Sequence, residues 1–343
     1  MKVAVFEKPE TIHVIQRPLP ACGPDDIIVK VHACGICGGD IRNFFTGLRY
    51  GITSQVMGHE FSGIVVEKGA NVTRFTLSDC VAVAPDVSCG TCWYCTHDLI
   101  NLCENHRMIG THWPGGFAEY VHLPQEVLDH GFVHHIPEGV SLTDACLSEP
   151  ASSVIAAQER IGLAKGQSIL ILGDGPIGCL HSEIAKSLGA KTIIIAGRSR
   201  LEAASAFGPD CLLNYEKDDI VSVCKQLTDN RGVDYAICAN ASTASQQIAV
   251  DAVRKRGKIV LFGGVPKQEP WTRLNSNTIH YNELEVIGTF SYQKRHHVAA
   301  LQALQKGTLH PDLYFTKTVG LDDIVEGFMA AQRREALKVL VKP

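Results

Sequence analysis

No apolar stretch of this chain approaches the roughly 18 residues that a membrane-spanning helix needs, and the opening MKVAVFEKPE has no apolar core of signal-peptide length. Lysine and arginine form no long run, so neither nucleic acid nor an anionic membrane surface is an expected partner. There is no internal repeat and no low-complexity segment. The charge imbalance is small, −4 overall with 20% charged residues, and 45% of the 343 residues are hydrophobic, enough for two cores. These absences leave an ordinary soluble globular protein of two domains, cytoplasmic by default, with small molecules as its expected partners.

Cysteine is not scarce. Thirteen is an odd count, which leaves at least one thiol unpaired and is poorly suited to a secreted disulfide framework of this size. In a reducing compartment, clustered cysteines read better as metal ligands. The segment from Cys34 to Glu60 brings Cys37, Asp40, His59 and Glu60 close together in the chain. Thiolate, imidazole and carboxylate suit a catalytic zinc, whose site keeps one position open for water or substrate. Taken singly, each has a plain reading as a core cysteine or a capping aspartate. Cys34 makes C-x-x-C with Cys37, but no strand–helix context of the thioredoxin type surrounds it, and packing is its expected role.

Residues 1–32 and 60–83 alternate apolar and polar positions between Pro and Gly punctuation and read as short strands. The character changes at CGTCWYCTHDLINLC, where Cys89, Cys92, Cys95 and Cys103 are spaced C-x2-C-x2-C-x7-C. Four thiolates in one compact lobe close a tetrahedron around a structural zinc, with an iron–sulfur cluster as the competing reading. Strands resume from Gly115 to Pro137, and LSEPASSVIAAQERIGL turns helical, carrying Glu149 beside Pro150, where a helix-dipole contact would by itself account for an acid.

QSILILGDGPIGCLHSEIAKSLGAKTIIIAG then reads strand, glycine turn, helix, strand. Gly173, Gly175 and Gly178 form G-x-G-x-x-G in that context, the fingerprint of a dinucleotide site, with Pro176 and Ile177 at the start of the helix whose N-terminus faces the phosphates. Further strand–helix alternation completes a doubly wound parallel sheet. NAD-type sites carry an acid at the end of the second strand, roughly 20 residues past the glycines. Here that place holds Gly197, Arg198, Ser199 and Arg200. Two guanidiniums around a hydroxyl suit a 2′-phosphate, which favours NADP(H) over NAD(H), although exposed arginines commonly do no more than solvate a loop. Tyr215 is a candidate for the adenosine side. The closing strand LKVLVKP is expected to pair back onto the first domain, making that domain discontinuous.

With these motifs in order, the chain resembles, end to end, the zinc-dependent medium-chain alcohol and polyol dehydrogenases. The most specific matches are Gly35-Ile36-Cys37 through Asp40, the run Gly58-His59-Glu60-x-x-Gly63-x5-Gly69-x-x-Val72, the four-cysteine lobe and the glycine fingerprint. The resemblance implies an α/β chain with a GroES-like β-rich catalytic domain (1–145 and 285–343, structural-zinc lobe 86–105) and a Rossmann coenzyme domain (146–284). It further implies an active-site cleft between the domains and a homodimer or homotetramer. It puts the catalytic zinc on Cys37 and His59, with Glu60 and Glu149 as carboxylate ligands or near-ligands and Asp40 on the other nitrogen of His59. Phe290 falls on the coenzyme side. Ser148-Glu149-Pro150 looks like the Glu-Pro of sorbitol-type enzymes, which favours a polyol, sugar-alcohol or sugar-alcohol phosphate substrate. A simple secondary-alcohol or L-threonine-type dehydrogenase is the alternative; a dinucleotide-binding regulatory protein without turnover is the reading from another class.

Three residues depart from the family pattern. Gly39 and Arg42 stand where proton-relay Ser or Thr and His are usual, which leaves proton transfer to Glu149 or Glu60. Ser291, within Phe290-Ser291-Tyr292, stands where sorbitol-type enzymes tend to carry an arginine, which argues against sorbitol itself. Arg42 and Arg49 would be the cations to meet an anionic substrate.

Overall fold

The computed structural model describes all residues, 1–343, and the chain divides into two compact units, Met1–Ser152 with Tyr292–Pro343, and Ser153–Ser291.

In the first unit the organising strand is Ile27–Gly35, IIVKVHACG. Lys30 and His32 are exposed between buried Val29, Val31 and Ala33, while Ile28 and Cys34 are buried as well, so the strand alternates at its middle and is covered on both faces toward its ends. It lies at the middle of a seven-stranded sheet in the order Phe132–His135, Cys80–Ala84, Glu60–Lys68, Ile27–Gly35, Lys338–Lys342, Phe315–Gly320, with Tyr120–Leu123 also pairing to it. The C-terminal strand joins it antiparallel, Leu340 opposite Gly35 and Val341 opposite Cys34. The expected return of the last strand to the N-terminal unit is therefore what occurs, and it delivers Lys338 beside Gly35.

The second unit holds six strands, all parallel, in the order Cys211–Asn214, Thr192–Gly197, Ser168–Leu172, Val233–Cys238, Val253–Leu261, Glu285–Gly288. Numbered along the chain, this is 3-2-1-4-5-6, with the switch point beside the first strand, as in dinucleotide-binding sheets. Ser168–Leu172 is buried at every position, as a central strand covered on both faces must be. The sequence places the coenzyme domain at 146–284, yet the chain stays in the first unit to Ser152, and its return there is expected from residue 285. Instead, Glu285–Gly288 pairs with Lys258–Leu261 as the sixth strand, and the crossing comes at Ser291–Tyr292. The short apolar pair Val286-Ile287 carries too little pattern to assign the strand to one sheet rather than another.

Candidate functional site

Cys37 ends the run from the central strand and is the N-cap of the helix Gly38–Thr46. Its Sγ accepts the Gly39 N–H at 3.3 Å, while Asp40 Oδ2 accepts the Cys37 N–H at 3.1 Å, a reciprocal cap that satisfies two otherwise unpartnered donors. The other oxygen of Asp40 lies 3.2 Å from His59 Nδ1. Asp40 thus ties the cysteine backbone to the imidazole and leaves Nε2 of His59 as the ring's ligand atom.

Cys37, His59 and Glu60 each offer one ligand atom, all within 4.8 Å of one another. Donors around a tetrahedral zinc stand about 3.3–3.8 Å apart, so a small contraction seats the ion. Burial pulls the His59 pKa down, but the charges of Asp40 and Cys37 outweigh it and hold the ring well above its ordinary value. Thiolate and carboxylates gathered at one imidazole make a pocket that attracts a cation, and the donor set is the N/S/O mixture zinc takes.

Glu60 is almost fully buried, and Lys338 Nζ lies 2.5 Å from its Oε2. A Cβ on Gly35 would collide with that oxygen and press on the Lys338 side chain, so glycine at 35 is what gives the carboxylate its seat. Burial lowers the Lys338 pKa and Glu60 and Cys37 raise it, with a net upward shift, so the lysine stays charged. Sequence reasoning missed Lys338. The only signal was a lysine opening the apolar run Val339-Leu340-Val341.

Glu149 is not in the ligand group. It sits in the first turn of the helix Ser148–Ile161, where its Oε1 accepts the Tyr292 hydroxyl at 2.7 Å. Burial pushes its pKa up to about 7, with the charge of His59 acting the other way and that of Glu60 adding to the rise. Of the two roles implied for it, the geometry is that of a near-ligand: a buried carboxylate beside the donors, held by a tyrosine. Tyr292 is itself buried and packs edge-on against Phe132.

Gly39 and Arg42 place no hydroxyl or imidazole behind Cys37. A Cβ on Gly39 would meet only Cys37 Sγ, at 3.7 Å, so the missing hydroxyl is not excluded by crowding. Arg42 and Arg49 are exposed. Cys34 is fully buried and burial drives its thiol pKa well up, which suits packing.

Cys89, Cys92, Cys95 and Cys103 come together with all four Sγ atoms within 4.8 Å. The contacts Cys89–Cys95 at 3.9 Å, Cys92–Cys95 at 3.5 Å and Cys92–Cys103 at 3.9 Å match the edge of about 3.8 Å that a ZnS4 tetrahedron has. The Cys89 pKa falls to about 5, chiefly because the backbone at Thr91 and Cys92 donates to its sulfur. These four cysteines fit a four-coordinate zinc with no position left open for water.

In the second unit Gly173 has φ 140°, outside the range of other residues, and a Cβ on Gly178 would run into the Gly173 carbonyl. Gly175 caps the helix Pro176–Ser187, and the only atom near a Cβ there would be Arg200 Nη1 at 3.8 Å. The turn is therefore open where a pyrophosphate approaches, with Pro176 and Ile177 at the helix start. Arg198 and Ser199 are exposed and Arg200 is half-buried. Tyr215 is half-buried in the unit's core, accepting from Asn240 Nδ2 at 3.2 Å, and Phe290 is 60% exposed.

Residues 23–138 match the family model described as alcohol dehydrogenase GroES-like domain, and residues 176–306 the model described as zinc-binding dehydrogenase. A sorbitol dehydrogenase of Bacillus subtilis (strain 168) is 33% identical over 351 residues, covering 100% of this chain and 97% of its own. A D-arabitol-phosphate dehydrogenase of Enterococcus avium is 32% identical, covering 96% and 93%. Among solved structures, one described as a zinc-binding dehydrogenase from Sinorhizobium meliloti 1021, bound to NADP, superposes with a TM-score of 0.92 at 29% identity, covering 100% of this chain and 99% of that one.

Proposed function

This chain belongs to the zinc-binding medium-chain alcohol and polyol dehydrogenase family, and on that premise we propose that it transfers a hydride between a secondary hydroxyl of a polyol, sugar alcohol or sugar-alcohol phosphate and a nicotinamide coenzyme. The observation that carries the reading is the Cys37–His59–Glu60 group with Asp40 fixing the imidazole.

Cys37, His59 and Glu60 would hold the catalytic zinc, and Cys89, Cys92, Cys95 and Cys103 the structural one. When bound, the catalytic zinc supplies a Lewis acid that acidifies a secondary hydroxyl, and the nicotinamide supplies the hydride acceptor. The protein's own groups set the geometry. Asp40 fixes the tautomer and tilt of His59, Lys338 compensates the charge of Glu60, and Tyr292 holds Glu149 as an acceptor for a substrate hydroxyl. The discontinuous unit is assigned the chemistry and the continuous one the coenzyme, through Gly173, Gly175 and Gly178 and the helix that follows. Assembly as a homodimer or homotetramer belongs to the same proposal, on family grounds.

Ser291 removes the arginine expected of sorbitol-type enzymes, so a polyol other than sorbitol, including its phosphorylated forms, is the substrate class we favour. The test is coenzyme reduction by the purified protein on sorbitol, arabitol, their phosphates, L-threonine and 2-propanol, each with NAD⁺ and NADP⁺. Turnover concentrated on polyols or their phosphates supports the proposal. Turnover confined to threonine or 2-propanol overturns it.

A further inference from the structure

The second strand of the parallel sheet, Thr192–Gly197, ends without the acid that NAD-type sites carry there. An acid nevertheless occupies the place. Asp174, between the first two glycines of the fingerprint, reaches across to the residues after that strand. Its Oδ2 accepts three consecutive backbone N–H groups, from Arg198 at 2.8 Å, Ser199 at 2.9 Å and Arg200 at 2.7 Å. Gly197 is glycine for this reason. A Cβ there would stand 2.5 Å from Asp174 Oδ2 and closer still to its Cβ and Cγ, while the backbone is not in the left-handed region that would by itself select glycine.

Three successive amides turned onto one point form a nest that suits an anion, such as a phosphate at the adenosine 2′ position. In this chain the nest is filled by the protein's own carboxylate. Two consequences follow for a 2′-phosphate, which carries about two negative charges near neutral pH. The amides are spent, and a fixed negative charge stands where the phosphate would come. Against this stand Arg198 and Arg200. Arg198 is exposed and lies 3.4 Å from Glu216, so its charge is partly compensated and screened by solvent. A 2′-hydroxyl has the opposite interest. Asp174 Oδ1 takes none of the three amide bonds and is left to accept a ribose hydroxyl.

We infer that Asp174 supplies, from the glycine turn, the negative charge that NAD-type sites place at the end of the second strand, and that it sets this chain against the 2′-phosphate. The inference rests on the reading of the second unit as a dinucleotide domain, and it reverses the weighting that Arg198 and Arg200 suggested from sequence, because what Asp174 bonds to is visible only in the fold.

The experiment is equilibrium binding of NAD⁺ and NADP⁺ to the zinc-loaded full chain, followed by calorimetry, for the wild type and two variants. Asp174→Asn keeps an oxygen for the amides and removes the charge. Asp174→Gly combined with Gly197→Asp moves the carboxylate to its usual place on the strand. The wild type is expected to bind NAD⁺ more tightly than NADP⁺, the Asn variant to shift that ratio toward NADP⁺ by about tenfold or more, and the swapped variant to keep the NAD⁺ preference. A ratio that the Asn change leaves within about twofold, or a wild type that prefers NADP⁺ and loses it in the Asn variant, overturns the inference. The wild-type ratio and the swapped variant carry the test if the Asn variant is unstable. Binding of neither coenzyme to the folded wild type is a different failure, which overturns the dinucleotide reading itself and this inference with it.

Discussion

Lys338 and Glu60 form an ion pair with Nζ 2.5 Å from Oε2, the lysine side chain 5% exposed and the carboxylate 1%. Breaking a buried pair from one side leaves the other charge uncompensated, which costs about 3–5 kcal/mol, whereas removing both is far milder. In the zinc-free protein, where no bound ion compensates Glu60, Lys338→Met should therefore lose about that much stability in denaturant unfolding. Adding Glu60→Gln to it should restore most of the loss. A Lys338→Met protein within about 1 kcal/mol of the wild type would show that the pair is not isolated from solvent.

The Tyr292 hydroxyl is the donor to Glu149 Oε1. Groups that orient a residue beside a metal centre typically change affinity or activity by about 10–100-fold when removed. Tyr292→Phe should lower kcat by an amount in that range while zinc content and NAD⁺ binding stay as in the wild type. Full activity in the Phe variant would mean that Glu149 is placed by its helix alone.

His181 gives the second unit a definite acid response. Its ring is fully buried in the helix Pro176–Ser187, with Gln158 Nε2 3.2 Å from Nδ1, and burial lowers its pKa to about 3 from an ordinary 6.5. A histidine depressed in the folded state takes up its proton more readily when unfolded. Its stabilising share is thus complete above pH 6.5 and falls as the pH drops from there toward 3. Between pH 7 and 4 this is worth about 3 kcal/mol. Gln158 Nε2 also donates to the His181 carbonyl at 2.8 Å, so His181→Leu does not orphan it. Relative to wild type, that variant should gain about 3 kcal/mol of stability over this range in unfolding measured at both pH values. A difference independent of pH would contradict a neutral buried ring.

What the sequence made legible was local. Cys37 and Asp40, His59 and Glu60, the four cysteines and the three glycines each lie within a few residues of a partner, and short spacing constrains where their side chains can go. The residues it concealed depend on pairing across the fold. Lys338 reaches Glu60 because the last strand aligns Leu340 with Gly35, and Tyr292 reaches Glu149 because the chain returns to the first unit at that residue. Asp174 was in plain view as the x of G-x-G, but its three amide partners follow the next strand. The sixth strand was misplaced for the same reason, since parallel pairing of Glu285–Gly288 with Lys258–Leu261 leaves almost no mark on four residues.

Two zinc sites of different kind, one of which does chemistry, underlie the proposed function. Zinc content per chain, measured with polyol-dependent coenzyme reduction in the wild type, Cys37→Ala and Cys92→Ala, tests it most directly. With the two donor groups, the wild type should hold two zincs and each variant one. Cys37→Ala should keep its fold and bind coenzyme yet lose turnover, while Cys92→Ala should lose stability first. A wild type that holds one zinc, with Cys37→Ala turning over polyol as fast as the parent, would contradict it.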